Sequence, residues 1–268
     1  MSAVTDPTRT EGVRPTRQVL ALARSESTLL LRNKTALFTA TLIPLMLVAL
    51  LGVLPSALSG PPLAMSMVIG SVLLLVLYYS LVTSTVARRE EHTLKRLYSS
   101  AVRPAAIMIG MALPLLILVA VQVIIGLIAV AIVMGLDSAP HTWLLLPAVI
   151  AGCAVWWVLA LASCPFTKSV EAAQLTTMPL IMVALGLSGM TVPIGILPGW
   201  LQWAAQLSPM FPTIDLAFVA LSATRVTGEA VGGSQLWLAV LLDLGVAAGW
   251  VLAGLWLLRR RFGWEPRR

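Results

Sequence analysis

Three groups of polar residues in this chain have types and spacings that could do chemistry. The first is Gly186-Leu187-Ser188-Gly189, a G-x-S-G tetrad of the kind that carries the nucleophile of an intramembrane serine protease. Such a serine needs a histidine base from a later helix, within hydrogen-bond reach. The only histidines are His92 and His141, and both precede Ser188. The base is missing, so the small residues read instead as points of close helix approach. The second group is Gln122 and Asp243, polar residues inside long apolar runs. An intramembrane carboxylate is expensive and is a functional candidate by default. The plainer reading of Asp243 is a protonated or hydrogen-bonded packing residue, and that of Gln122 is a hydrogen bond between helices. Gln174, at the start of its run, can face water.

The third group is the segment from Arg88 to Arg103, which reads Arg-Arg-Glu-Glu-His-Thr-Leu-Lys-Arg-Leu-Tyr-Ser-Ser at its start. Leu94, Leu97 and Tyr98 fall at i, i+3 and i+4 and share one face of a short helix. Glu91 and Lys95 are an i,i+4 pair that favours that helix. A charged mini-helix with an apolar ridge, held between two apolar runs, suits docking of a soluble partner. The plainer reading is a solvated turn. No Gly-rich loop ending in Lys and Ser/Thr is present, and no His, Cys, Asp and Glu have metal-ligand spacing. The chain is therefore expected to bind no cofactor or metal and to be no enzyme. Cys153 and Cys164 lie about 16 Å apart along a helix, too far for a disulfide.

The elements that position these residues are spans. Of 268 residues, 59% are hydrophobic and 11% charged, too few charges to cover a water-facing globule. Six apolar stretches stand out: Thr35–Pro55, Leu63–Ala87, Pro104–Met134, Trp143–Pro165, Ala173–Met190 and Leu236–Leu258. Each approaches the roughly 20 residues a membrane helix needs. All but one of the 18 Lys and Arg fall on one side of this arrangement, in the lead, the second and fourth loops and the tail; the exception is Arg225. The positive-inside rule makes the crowded side cytoplasmic, with both termini there. The basic charge sits in short blocks between apolar runs, which argues against nucleic-acid binding.

The chain divides into a lead, residues 1–34, a six-span domain, residues 35–258, and a basic tail, residues 259–268. A polar lead of this length favours a retained first span over a cleaved signal. Within it, Arg17–Asn33 is amphipathic: Val19, Leu22, Ala23 and Leu30 on one face, Arg17, Arg24, Thr28 and Arg32 on the other. This predicts a helix lying along the inner membrane surface. Glu26 falls in its apolar stripe and needs a partner that the sequence does not name. The fifth loop, Thr191–Gln235, is nearly uncharged and punctuated by Pro193, Pro198, Pro209 and Pro212, with Trp200, Trp203 and Phe211 among them. It predicts short re-entrant or interfacial helices over Trp200–Leu207 and Pro212–Ala223. Gly245-x-x-x-Gly249 is a small-residue stripe suited to close packing.

In this order these features resemble the permease subunits of the ABC-2 type. The resemblance rests on four features. The first is the amphipathic lead with Glu26, Arg32 and Asn33, running into a span with Pro44. The second is the loop with Glu90, Glu91, Thr93, Leu94 and Leu97. The third is Ser188-Gly189 followed by Pro193, Leu197-Pro198, Trp200-Leu201 and Pro209. The fourth is the last span with Arg259-Arg260-Arg261. His92 stands where such proteins often have Gly, and Ala101 where they often have Pro after a small residue. The resemblance implies an all-α six-span bundle with a connecting helix, a cytoplasmic coupling helix (Glu90, Glu91, Thr93, Leu94, Leu97 and Tyr98) and an external re-entrant pair. It further implies two protomers and two separate ATPase subunits carrying ATP and Mg. The implied setting is a bacterial cytoplasmic membrane, where the protein exports a hydrophobic or amphipathic drug, antibiotic or lipid. The alternative is a non-transport membrane protein, a rhomboid-like protease or a sensor.

The charge count makes a topology prediction. Single cysteines at Ser59, Ser138 and Thr227 should react with an impermeant maleimide in intact cells, and one at Ser99 should not; external labelling at 99 would overturn the arrangement.

Overall fold

The computed structural model describes residues 15–32, 60–91, 104–136 and 139–261, with isolated positions at 42, 46, 48–50, 52–53 and 93. The described residues are helical, apart from turns and one isolated β-bridge between Thr224 and Ala230. The expected first span, Thr35–Pro55, lies mostly outside them.

The chain opens with α1, Pro15–Arg32. Its apolar stripe lies against α3, Pro104–Met134, at Gly110, where a Cβ would sit 2.8 Å from Leu22 Cβ and 3.3 Å from the Val19 carbonyl oxygen. Only hydrogen at that position lets the two helices close. Between them in sequence runs α2, Pro61–Glu90, a continuous 30-residue helix and the most buried of the long apolar helices. Pro61 and Pro62 start it, where missing N–H groups have no helical partner to lose. Its middle, Val72–Tyr79, is wound as a π-helix, and the Ser80 hydroxyl donates to the Leu75 carbonyl five residues back. Such stretches are rare and concentrate where function needs them.

α4, Leu145–Ser163, is entered and left by 3₁₀ turns, so that the helical rod spans Thr142–Phe166. Tyr78 of α2 stacks edge-on against Trp156 of α4 at 5.2 Å, and its hydroxyl meets Ser163 Oγ at 3.0 Å. α5, Val170–Gly186, is capped by Ser169, whose Oγ accepts from the Ala172 N–H. Two short helices follow, α6, Gly199–Gln206, and α7, Phe211–Ser222, bent 90° to each other with Pro209 buried at the bend. The last helix is α8, Ser234–Arg261.

Among the described residues four helices, α2, α3, the α4 rod and α8, are long and apolar enough to cross a membrane, or five if the bent α6–α7 pair counts as one span. α5, at 17 residues, falls short of that length. α2 is central, packed by α3, α4 and α7, while α3 and α8 bury much less of themselves. The faces of α3 (Ile117, Ile124, Ile128) and α8 (Leu238, Leu241, Leu252) that the described residues leave exposed are apolar, as lipid-facing surfaces must be. Lys and Arg of the described loops and helix ends divide as the sequence suggests. Arg88, Arg89, Lys168, Arg259 and Arg260 fall at one end of the chain's alternating helices, the basic end, and Arg225 at the opposite end.

Gly245 and Gly249 make no close contact among the described residues: a Cβ on either would meet nothing within 4 Å. The tight approach on α8 is at Gly254, where a Cβ would meet Val158 Cγ1 of α4 at 2.6 Å. Gly152 of α4 is as tight, facing Leu73 of α2 at 2.6 Å and Thr213 of α7 at 2.8 Å. Gly152→Ala should therefore cost about 1–3 kcal/mol by overpacking. Gly245→Ala should be neutral or slightly stabilising, since Ala is the better helix former by about 1 kcal/mol. Thermal unfolding in detergent, followed by tryptophan fluorescence, separates the two; equal midpoints would contradict this packing.

Candidate functional site

Polar side chains gather at both ends of the helices. At the basic end two adjacent arginines close the last turn of α2. Arg88 forms an ion pair with Glu26 of α1. This is the partner that the stripe position of Glu26 demanded. Burial pushes the Glu26 carboxyl above its ordinary range, and Arg88 opposes that only in part. Arg89, 4% exposed, turns the other way and donates to the carbonyls of Cys164, at 2.9 Å, and Thr167. Those carbonyls end the α4 rod, where the helix dipole is negative and its last oxygens lack helical donors. One turn of α2 thus holds α1 on one side and the α4–α5 turn on the other.

The segment that follows is the sequence's coupling candidate. Glu90 is exposed at the helix end, Glu91 caps it with φ −71° and ψ 1°, and Thr93 is half-buried. Leu94, Leu97 and Tyr98 lie outside the described residues.

At the opposite end stands a cluster of three charges. Asp215 of α7 is fully buried. Its Oδ2 accepts from Arg225 Nε at 2.7 Å, and its Oδ1 accepts from the Val226 backbone N–H at 2.7 Å. Arg225 also donates through Nη2 to Asp243 Oδ1 of α8 at 3.4 Å, and its guanidinium lies 6.0 Å from the Phe211 ring centre. Burial works against the Arg225 charge, but Asp215 and Asp243 outweigh it and hold the guanidinium above its usual range. Asp243 is 2% exposed, and its Oδ2 has no hydrogen-bond partner among the described residues.

Of the residues marked in the sequence, Asp243 thus stands in a charge cluster. Gln122 is buried midway along α3, apart from it. Ser188 is buried, donates to the Leu185 carbonyl and accepts from the Met190 N–H, so its hydroxyl is committed to backbone and has no base beside it among the described residues. Gly189 adopts φ +78°, and a Cβ there would sit 2.5 Å from Val226 Cγ2, so glycine lets the end of α5 meet the loop after α7. Pro193 precedes a 3₁₀ turn, Pro198 starts α6, and Trp200 is 73% exposed beside Trp203. Trp143 and Trp237 pair at 5.7 Å at the same end, an aromatic belt of the kind that sits at a membrane interface. Sequence reasoning passed over Asp215 and gave Arg225 no partner. The signal was there: one acid inside the apolar helix Ile214–Leu221 and the only basic residue on that side, ten positions apart.

Among the described residues no group of His, Cys, Asp or Glu could hold a metal ion. Long apolar helices, interfacial aromatics and paired buried charges define an integral membrane protein. The chain belongs to the ABC-2 type transporter family, whose model matches residues 17–221. A search of curated proteins finds no match.

The Glu26–Arg88 pair makes a pH prediction. In Arg88→Met the buried Glu26 loses the charge that offsets its burial, so its folded-state pKa climbs further above the unfolded value. Destabilisation is then absent below the unfolded pKa and grows as pH rises through the folded one. At neutral pH it should reach at most about 3–5 kcal/mol. The midpoint gap between wild type and Arg88→Met should therefore narrow as pH is lowered, and Glu26→Gln should remove the pH dependence. A gap independent of pH would show that the pair does not hold α1.

Proposed function

We propose that the chain is the membrane half of an ATP-driven exporter. It has six spans, both termini in the cytoplasm, and the basic end of the bundle facing that compartment. The positive-inside bias supports the orientation. The span Thr35–Pro55 and α5 complete the count of six. ATP is hydrolysed by a separate ABC ATPase, two copies of which serve a pair of permease protomers in a bacterial cytoplasmic membrane. The cargo is a hydrophobic or amphipathic compound such as a drug, antibiotic or lipid.

The observation that carries this reading is the seat of the segment 88–103. Its first residues are the two arginines that tie α2 to α1 and to the end of the α4 rod. A push on a segment so anchored moves three elements at once. Binding of ATP by the partner would favour one of two arrangements of the spans, and the shift can be no larger than the difference in binding energy between them. The fit to an ABC-2 permease leaves the protease alternative without support, since Ser188 serves backbone groups.

Leu94 and Leu97 carry the test. Burying them against a partner would stabilise docking by about 1.5–3 kcal/mol each, whereas Lys95 at the rim is worth under about 1 kcal/mol. Leu94→Asp with Leu97→Asp should abolish co-purification of the ATPase from detergent extracts while membrane levels stay normal, and Lys95→Ala should change little. If the double variant keeps its ATPase and full transport, the segment is a solvated turn and the coupling role is wrong.

A further inference from the structure

The loop between α7 and α8, residues 223–233, belongs mechanically to one of its neighbours and not to the other. It is folded on itself: the Arg225 N–H donates to the Glu229 carbonyl at 2.8 Å, and the Val231 N–H to the Ala223 carbonyl at 2.9 Å. To α7 it is tied three ways: by the Arg225 Nε to Asp215 bond, by the Val226 N–H to Asp215 bond, both 2.7 Å, and by the guanidinium against Phe211. α7 is itself fixed to the start of the α4 rod, because the His141 N–H donates to the Ala220 carbonyl at 3.0 Å. To α8 the loop is tied by the Gln235 N–H to Gly232 carbonyl bond at 3.2 Å, where the chain turns into the helix, and by one side-chain contact, Arg225 Nη2 to Asp243 Oδ1, at 3.4 Å. That is at the long limit for such a bond.

The same boundary is thinly packed. A cavity of about 310 Å³ runs along it, with Arg225, Glu229 and Val231 on the loop wall and Gln235, Leu238 and Leu242 on the α8 wall. Leu238 and Leu242 are more than half exposed, so the cavity opens beside the lipid-facing side of α8. The chain crosses the boundary at Gly232–Gly233. Gly233 has φ +56°, and a Cβ on either glycine would touch nothing within 4 Å. Two unencumbered glycines at an element's end are well suited to absorb backbone rotation.

We propose that the seam between residues 223–233 and α8 is where the permease opens on its outer side, with Arg225–Asp243 as the latch and Gly232–Gly233 as the hinge. The unequal grip fixes which bond yields. Asp215 holds a side chain and a backbone N–H together, so the loop leaves with α7, and α8 swings away. Asp243 is the residue left behind, holding Arg225 by the longer of the two guanidinium contacts. This reading rests on the orientation and transport role proposed above.

The experiment uses two pairs of nitroxide labels in a background with Cys153→Ala and Cys164→Ala, read by pulsed double-resonance distances in lipid nanodiscs. Ala230→Cys with Leu238→Cys spans the seam. Trp203→Cys with Glu229→Cys reports whether the loop stays with the α6–α7 pair. In the permease alone, Asp243→Asn and Asp243→Leu should each move the seam pair to longer separation and leave the second pair unchanged. Asp215→Asn should instead move the second pair. In the complex trapped with ATP and vanadate, the seam pair should lengthen as it does in Asp243→Asn. If both Asp243 variants leave the seam pair where it was, Arg225–Asp243 is no latch. If they move the second pair instead, the loop divides on the other side. If trapping leaves the seam closed, it is not the outward opening. Failure of an ATPase to co-purify would sink the exporter reading, while the two permease-only comparisons would still decide the latch.

Discussion

A charge inside a lipid-solvated bundle has no water to solvate it, so it must find a partner within the protein. An ionised group left bare in an apolar medium is costly enough to neutralise itself or to prevent the fold. The polar architecture here follows from that constraint. Arg89 reaches the open carbonyls at the end of the α4 rod, and in doing so satisfies acceptors that would themselves be orphans. Arg88 answers Glu26, so the amphipathic α1 is held not only by its apolar stripe but by a directional contact that fixes its rotation. Asp215 answers Arg225 with one oxygen and a backbone N–H with the other, leaving neither oxygen unused. The Arg88 and Arg89 contacts join elements far apart in sequence, and the Asp215 contacts fold the following loop back onto α7, so the demand for charge partners also sets the tertiary arrangement.

Once the charges are answered, packing does the rest, because lipid tails are as apolar as leucine and exert little hydrophobic drive between helices. Close approach then depends on where side chains are absent. Gly110 lets α1 lie on α3, Gly152 lets α4 receive Leu73 and Thr213 together, and Gly254 lets α8 close on Val158. At Gly126 of α3 the neighbour is Val68 of α2, so the central helix is met by glycines on two of the helices around it. The unmet glycines, Gly245 and Gly249, sit on a face of α8 that the described chain leaves open.

Much of this was legible in the sequence, and the parts that were not share a cause. Periodicity located the amphipathic lead as Arg17–Asn33, and α1 runs from Pro15 to Arg32. Proline spacing and aromatics placed two short helices in the fifth loop within a residue of α6 and α7. Hydropathy marked Asp243 and the stripe position marked Glu26, because a charge in an apolar pattern is a local anomaly. What local pattern cannot give is the partner. Arg88 looked like one more cytoplasmic charge, and Arg225 like an exception to a count; only folding brings them to Glu26 and Asp215. The π-helical turn at Val72–Tyr79 was equally hidden, since its residues are as apolar as any α-helical span. The Gly245–Gly249 stripe names no partner for a related reason: small residues permit approach without requiring it.

The two ends of the chain are joined through α2, and the way they are joined sets what can move. At its basic end α2 is gripped from two sides by Arg88 and Arg89. Near its other end Gly70 admits Met190 and lies by Ile214 of α7, the residue before Asp215. A continuous series of contacts therefore runs from Glu26 and the Thr167 carbonyl, along α2, to the Asp215–Arg225–Asp243 cluster. Adjacency alone is not coupling. The difference lies in the grip along the way. The basic end is held by a buried guanidinium on two carbonyls and by an ion pair, and the start of the route on α7 by two 2.7 Å bonds to one carboxylate, while its last side-chain contact is at 3.4 Å beside a cavity. Displacement entering such a series is carried by its tight members and released at its loosest one. The π-helical stretch of α2 lies between the two ends, and its backbone is already off the α-helical register, so a change in winding there need not break the span.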